Sequence, residues 1–279
     1  MAFLRIVEVF PPMFPSSESA PLGLKEGING FVEGVRGIRD LADVILVANV
    51  KKADFLKIST IEAAAMLQEQ LRIDAAPVIV VRDQNRPQFL SSVLTAVALG
   101  LKSVMVAWGD AYPPSAKASN VRDFPSLAEA VRQASSMARR AGAQTRFFAP
   151  VDIGRLAKPG GVDLARGRIK AGAKCLLAQP PTTDAGETFD DHAAIIEKAR
   201  LKARVLLNVF PFKGEEDVKK CEKYFGWKLP KSLHTAAAKG ESSLLQMERR
   251  VVERLREEGF PGVYVTTRGT PSVAQKLLA

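Results

Sequence analysis

Eight short apolar segments recur along the chain: LRIVEVF (4–10), DVILVAN (43–49), APVIVVR (76–82), SVMVAWG (103–109), TRFFAPV (145–151), KCLLAQ (174–179), RVLLNVF (204–210) and GVYVTT (262–267). Each is nearly continuous in apolar residues, as expected for strands buried on both faces of a parallel sheet. Longer amphipathic stretches separate them. Eight β-α units within 279 residues are the arithmetic of an α/β protein with the (β/α)8 TIM-barrel fold. No composition shift or Ser/Gly-rich linker divides the chain, so residues 1–279 read as a single TIM-barrel catalytic domain. An open doubly wound sheet is the alternative, because local pattern does not reveal closure.

Helix signals fill the gaps. Ser59 with Glu62 and Ser126 with Glu129 read as capping boxes. Met247, Val251 and Val252 share one face of a helix between Leu244 and Leu255. Thr270-Pro271 reads as an N-cap followed by proline at the first helical position. Lys231 to Ala238 reads as an extra helix, and Ala111 to Asp123 as the longest loop insertion.

No apolar run approaches the roughly 20 residues that span a bilayer, and the N-terminus lacks the regions of a signal peptide. The expectation is a cytoplasmic protein without a membrane partner. Cys175 and Cys221 form no CxxC or Cys/His cluster, which argues against a zinc site or a disulfide framework. The net charge of +10 favours anionic partners. Its basic residues fall as scattered pairs on helices, such as Arg139-Arg140 and Lys219-Lys220, without a nucleic-acid recognition motif. No nucleic-acid partner is expected. A phosphate-bearing cofactor or polyanionic small substrate would use the same field.

In a barrel of this kind the chemistry sits at the C-terminal strand ends. That layer reads Glu8, Asn49, Arg82-Asp83, Gly109-Asp110, Asp152, Gln179, Phe210 and Thr266-Thr267. Any one of these residues could serve as a cap; a polar ring across nearly every strand is harder to assign to capping. Glu8 shares the face of Leu4, Ile6 and Phe10, where desolvation would favour a protonated carboxyl able to act as a general acid. The competing reading pairs it with an arginine of a neighbouring strand. GxGxxG after a strand, the P-loop, GxSxG and HExxH are all absent. The two histidines, His192 and His234, read as solvated. A carboxylate-centred or cofactor-centred mechanism remains.

Several stretches together resemble the methylenetetrahydrofolate reductase family. EVFPP (8–12) is similar to that family's Glu-Phe-Phe-Pro-Pro segment. Residues 75–110 resemble its third and fourth strands, ending in Gly-Asp and including RDQNR. AGAKCLLAQPPTT (171–183) resembles its sixth strand, and GVYVTTRG (262–269) its last. The resemblance covers nearly the whole chain and implies a (β/α)8 barrel holding a flavin, FAD with FMN as the alternative. It also implies NAD(P)H as electron donor and a ping-pong hydride transfer that reduces 5,10-methylenetetrahydrofolate to 5-methyltetrahydrofolate, within one-carbon metabolism and methionine biosynthesis. By the same resemblance, Glu8 is the general acid and Asp110 lies by the flavin and hydrogen-bonds the pterin. Gln179, with Phe210 and Phe212, contacts substrate. Asn49, Arg82, Trp108, Gly109 and Arg168 fall at flavin positions, Arg168 near the phosphate or ribityl region. A homo-oligomer is implied as well.

The chain also departs from that pattern. Trp108 replaces an arginine before Gly-Asp, and Val78 replaces a histidine. Pro180-Pro181-Thr182-Thr183 replaces an aromatic run, and Glu215 stands where the loop after strand seven carries an aromatic, unless Phe210 or Phe212 substitutes. These changes surround the flavin and second ligand. They leave open another tetrahydropterin as substrate, a partner electron-transfer subunit as donor, or a non-catalytic binding or accessory subunit.

Overall fold

The computed structural model describes residues 2–16, 23–50, 55–82, 84–109, 123–180 and 182–279. Its barrel is closed by eight parallel strands in the order β1 (Leu4–Val9), β10 (Gly262–Thr266), β9 (Arg204–Val209), β8 (Ala173–Ala178), β7 (Arg146–Val151), β6 (Ser103–Ala107), β5 (Ala75–Val80) and β3 (Val44–Val47). All eight coincide with the apolar segments of the sequence, and the closed order sets aside the open sheet. The fold is a (β/α)8 TIM barrel.

Alternation along the strands divides the core in two. Ile6, Val44, Leu46, Ala76, Val78, Val80, Met105, Phe148, Cys175, Leu177, Leu206 and Tyr264 fill the barrel interior. The intervening residues, such as Val7, Ile45, Ile79, Val106, Val205 and Val265, face the surrounding helices. This separation fixes which rim residues share the interior face.

Closure depends on a close backbone approach. Leu4 pairs with Gly262 where the first and last barrel strands meet. Gly262 has φ 152°, and a Cβ there would stand 2.0 Å from the Leu4 carbonyl oxygen. Only glycine fits. At the N-terminal end of the barrel, Asp74 accepts from the Ser103 hydroxyl at 2.9 Å and from Arg146.

Two short strands, β2 (Met13–Pro15) and β4 (Phe55–Lys57), form an antiparallel pair that the sequence did not reveal. They follow β1 and β3 and therefore stand at the C-terminal mouth. Helix α1 (Leu24–Arg36) packs on this pair, with Gly27 against the Phe14 ring.

Ser59 and Ser126 do cap α2 (Thr60–Leu71) and α4 (Leu127–Arg140), accepting from Ile61 and Glu129 backbone N–H groups. The reciprocal carboxylate bond of a capping box is formed instead between Asp191 and Thr188, opening α7 (Phe189–Ala199). Lys231–Ala238 is indeed a helix, α9, lying between α8 (Glu215–Phe225) and α10 (Glu241–Glu257). The last helix, α11 (Ser272–Leu278), starts one residue later than Thr270-Pro271 implies, with Pro271 as its N-cap. The long insertion lies outside the described residues except for Asp123. No described helix is long and apolar enough to cross a membrane.

Candidate functional site at the barrel mouth

Strand parity sorts the sequence candidates. Glu8 follows Leu4 and Ile6 on the interior face of β1, half-buried at the C-terminal rim. Its neighbours in register are Thr266 of β10 and Leu46 of β3. The Tyr264 phenol, buried one pleat below Thr266, donates to a Glu8 carboxylate oxygen. Burial, followed by the Glu8 charge and hydrogen bond, pushes the phenol well above the ordinary tyrosine range; the Thr266 side chain acts in the opposite sense. The hydroxyl of Thr267 donates to the Glu8 carbonyl at 2.7 Å, fastening the end of β1 to that of β10.

Asn208 joins this layer from β9. Its amide Nδ2 donates to Thr266 Oγ1 at 3.0 Å, while its Oδ1 is buried with no hydrogen-bond partner among the described residues. Tyr264 and Asn208 were both missed by sequence reasoning, because each sits singly within an apolar strand.

By parity, Arg82, Gln179 and Phe210 extend the interior faces of β5, β8 and β9 to the rim. Gln179 is exposed, and Arg82 and Phe210 are half-buried. Gly109 adopts φ 84°, and a Cβ there would meet Val80 at 3.1 Å, so packing of β6 against β5 already accounts for this glycine. Asp152 accepts from the Arg155 backbone N–H at 3.0 Å and caps α5 (Ile153–Leu156). Arg168, on α6 (Gly161–Lys170), donates to the Pro150 carbonyl at 2.5 Å. Burial lowers its pKa, partly offset by Asp152. It is a fixed cation at the end of β7.

Three candidates stand apart from the interior layer. Trp108 packs with the outer core, between the strands and the helices. Phe212 is 1% exposed within a separate cluster with Val218, Leu229, Leu233 and Leu244, where it packs against Phe210 at 5.0 Å between ring centroids. Asn49 accepts from Lys57 Nζ at 2.6 Å and ties the end of β3 to β4. Asp110 and Asp83 lie outside the described residues. Glu215 is the exposed first residue of α8.

A second unforeseen group holds the rim above β9. Arg268, with φ 54°, makes a bidentate pair with Asp217 of α8, donates to the Pro211 carbonyl at 3.4 Å and lies over the Phe210 ring at 5.0 Å. Burial would raise the Asp217 pKa, but the Arg268 and Lys213 bonds hold it below the ordinary carboxylate range. Beneath this loop, Glu248 of α10 accepts from the Phe212 N–H at 3.4 Å, and its Oε2 has no hydrogen-bond partner among the described residues. Desolvation pushes its pKa well above the ordinary glutamate range.

His192 is buried rather than solvated. It is 5% exposed, with Nε2 3.3 Å from the Gly186 carbonyl, and burial lowers its pKa. His234 pairs with Glu222 at 3.1 Å.

No protein-family model matches the sequence, and no curated protein does. Among solved structures, an uncharacterised protein from Clostridium thermocellum that binds two copies of 5-methyl-5,6,7,8-tetrahydrofolic acid superposes with a TM-score of 0.62. It is 12% identical, over 98% of this chain and 94% of that one. The trigonal form of 2,3-dimethylmalate lyase, a PEP mutase/isocitrate lyase superfamily member, gives 0.50 at 13% identity over 99% and 87% of the two chains. Its triclinic form gives 0.50 at 14% identity over 94% and 84%. At these identities the likeness is one of fold.

Proposed function

We propose that this barrel is a flavin-dependent reductase that converts 5,10-methylenetetrahydrofolate, or the same one-carbon unit on another tetrahydropterin, to the methyl form. The observation that carries the reading is Glu8: a carboxyl on the interior face at the catalytic end, beside Tyr264 and Thr266. That placement suits an acid whose target enters through the mouth. The fold-level likeness to a protein that binds 5-methyltetrahydrofolate supports the pterin as ligand class.

A methylene bridging two nitrogens accepts hydride poorly until one C–N bond opens, and opening requires a proton on the departing nitrogen. Glu8 gives that proton. Gln179, with an amide that both donates and accepts, orients the pterin edge, and the Phe210 ring offers an apolar face beside it. Asp110 would take a second pterin hydrogen bond. The buried Asn208 Oδ1 suits an N–H donor from a ligand, since an unpaired buried acceptor costs about 1–3 kcal/mol.

The rim also fits a phosphate-bearing cofactor. Arg168 is a fixed cation whose guanidinium is already oriented by the Pro150 carbonyl, and Arg82 lies on the interior face. These two residues would hold the flavin chain. A flavin held there would supply the hydride for the one-carbon unit, with NAD(P)H or a partner electron-transfer subunit as its reductant.

The test is spectroscopic. The purified protein, alone or reconstituted with FAD or FMN, should show a flavin spectrum, and methylenetetrahydrofolate should reoxidise the photoreduced form. A protein that takes up neither flavin loses the mechanism. Flavin uptake without reoxidation by any tetrahydropterin would mark a binding or accessory subunit instead.

A further inference from the structure

Glu8 has two carboxylate oxygens, and one of them, Oε2, is held from within the barrel. Tyr264 donates to Oε2 from below, within the packed barrel interior. This phenol keeps its proton across the physiological range, because burial and the adjacent carboxylate both oppose its ionisation. It is therefore a permanent donor. Above it, Thr266 is itself anchored by the Asn208 amide at 3.0 Å, so three strands, β1, β10 and β9, contribute to one polar layer. A buried network whose members are packed on rigid strands holds its geometry without reorganising at each turnover.

We infer that Tyr264 is the positioning residue for the acid: its phenol holds one oxygen of Glu8 as an acceptor, so the transferable proton resides on the other oxygen. The inference rests on the reading of Glu8 as the acid of a tetrahydropterin reductase, and it names the residue that sets where and how readily that acid gives its proton. In the step itself, the Glu8 Oε1–H bond breaks and its electron pair stays on Oε1. The proton forms an N–H bond with the departing nitrogen, and the C–N bond to the one-carbon unit opens, leaving an iminium for hydride. Tyr264 keeps its own proton throughout and steadies the carboxylate that results.

Among the described residues, several charged groups stand around the Glu8–Tyr264 pair. Of the strands flanking Glu8, β3 carries no titratable side chain, and β10 carries only Tyr264. Near the mouth ends of these strands stand Arg268, paired with Asp217, and Lys57, bonded to Asn49 and to the Val50 carbonyl. Arg82 follows β5, and Asp152 and Arg168 stand at the end of β7.

The experiment follows the Glu8 carboxyl by carbon NMR in protein labelled at the glutamate side-chain carboxyls, with Glu8→Gln assigning the signal. Two replacements push in opposite directions. Tyr264→Phe removes the donor and should raise the Glu8 titration midpoint by about one pH unit; difluorotyrosine installed at position 264, a stronger donor, should lower it. In single turnover, Tyr264→Phe should slow reoxidation of the reduced flavin by methylenetetrahydrofolate about tenfold and leave reduction by the electron donor unchanged. A Glu8 titration that moves with neither replacement overturns the inference, even in a fully active enzyme. Should Tyr264→Phe fail to fold, the fluorinated protein decides alone, because it conserves shape. A shifted titration in a protein that reduces no tetrahydropterin upholds the pairing and removes the reductase reading.

Discussion

The carboxylate of Glu8 and the phenol of Tyr264 meet across the seam where the barrel closes, although 256 positions separate them in the chain. The contact requires closure, with the first and last strands paired from Leu4–Gly262 to Glu8–Thr266. Register then sets Ile6 beside Tyr264 and leaves Glu8 one pleat above it, within reach of the phenol.

Glu8→Gln keeps the shape of the side chain and removes the acid. Flavin uptake and reduction by the electron donor should persist, while the tetrahydropterin half-reaction slows by at least about a hundredfold, a typical loss for a general acid. Stopped-flow measurement of the two half-reactions separates them. Equal losses in both would instead assign Glu8 a structural role at the seam.

Arg268 and Asp217 should be strongly coupled. Their bidentate pair joins the second residue after β10 to α8 and fixes Phe210 from above. A double-mutant cycle of Arg268→Ala and Asp217→Ala in urea unfolding should give a coupling of about 1–3 kcal/mol, within the range for directly contacting residues. Asp217 has a lowered pKa in the fold, so its contribution is present above the unfolded aspartate value and is lost as pH falls through the folded one. The coupling should therefore shrink on acidification. A pH-independent cycle would mean that packing, not charge, holds this loop.

Much of this architecture was legible because each parallel strand is buried on both faces and so reads as a continuous apolar run. Glu8 was legible for the related reason that a carboxylate inside such a run demands an explanation. Tyr264 and Asn208 escaped because a tyrosine or asparagine within a strand has an ordinary packing role, and only closure reveals what lies opposite. Had the first and last strands been set side by side at the sequence level, equal parity would have aligned Glu8 with Tyr264 and Thr266. The β2–β4 pair was invisible for another reason: each strand is three residues long, and their pairing is non-local. His192 read as solvated because acidic residues precede it, yet its position on α7 turns it toward the Gly186 carbonyl.

Glu248 should make the protein less stable as pH rises. Its folded pKa lies well above the unfolded value, so its favourable contribution is complete below the unfolded value and is lost as pH climbs toward the folded one. Glu248→Gln removes the ionisable group while retaining an acceptor for the Phe212 N–H. Its Tm should match the parent near pH 4 and exceed it at pH 8 by roughly 3 °C, about 1 kcal/mol for a chain of this size. A Tm difference that stays constant with pH would show that Glu248 does not titrate in the native state.

Cys175 should be inert in the native protein. It faces the barrel interior at 2% exposure, and burial pushes its thiol up to about 12. Alkylation needs both a thiolate and access. Iodoacetamide at pH 8 should leave Cys175 unmodified over hours and label it promptly in denaturant, with peptide mass spectrometry reporting the site. Fast native labelling would mean that the interior opens on that timescale.

Gly262→Ala tests the seam most directly. An added Cβ would fall 2.0 Å from the Leu4 carbonyl oxygen, at a residue whose φ of 152° already disfavours any side chain. The neighbour is strand backbone held in register with β10, so it cannot swing aside as a flexible side chain would. The substitution should cost about 3 kcal/mol, the upper part of the range for overpacking. It should also displace Tyr264, two residues along the same strand, from Glu8. In any fraction that folds, the Glu8 carboxyl titration should therefore move in the same direction as in Tyr264→Phe. Wild-type stability together with an unchanged titration would show that the first and last strands are not held together at Leu4 and Gly262.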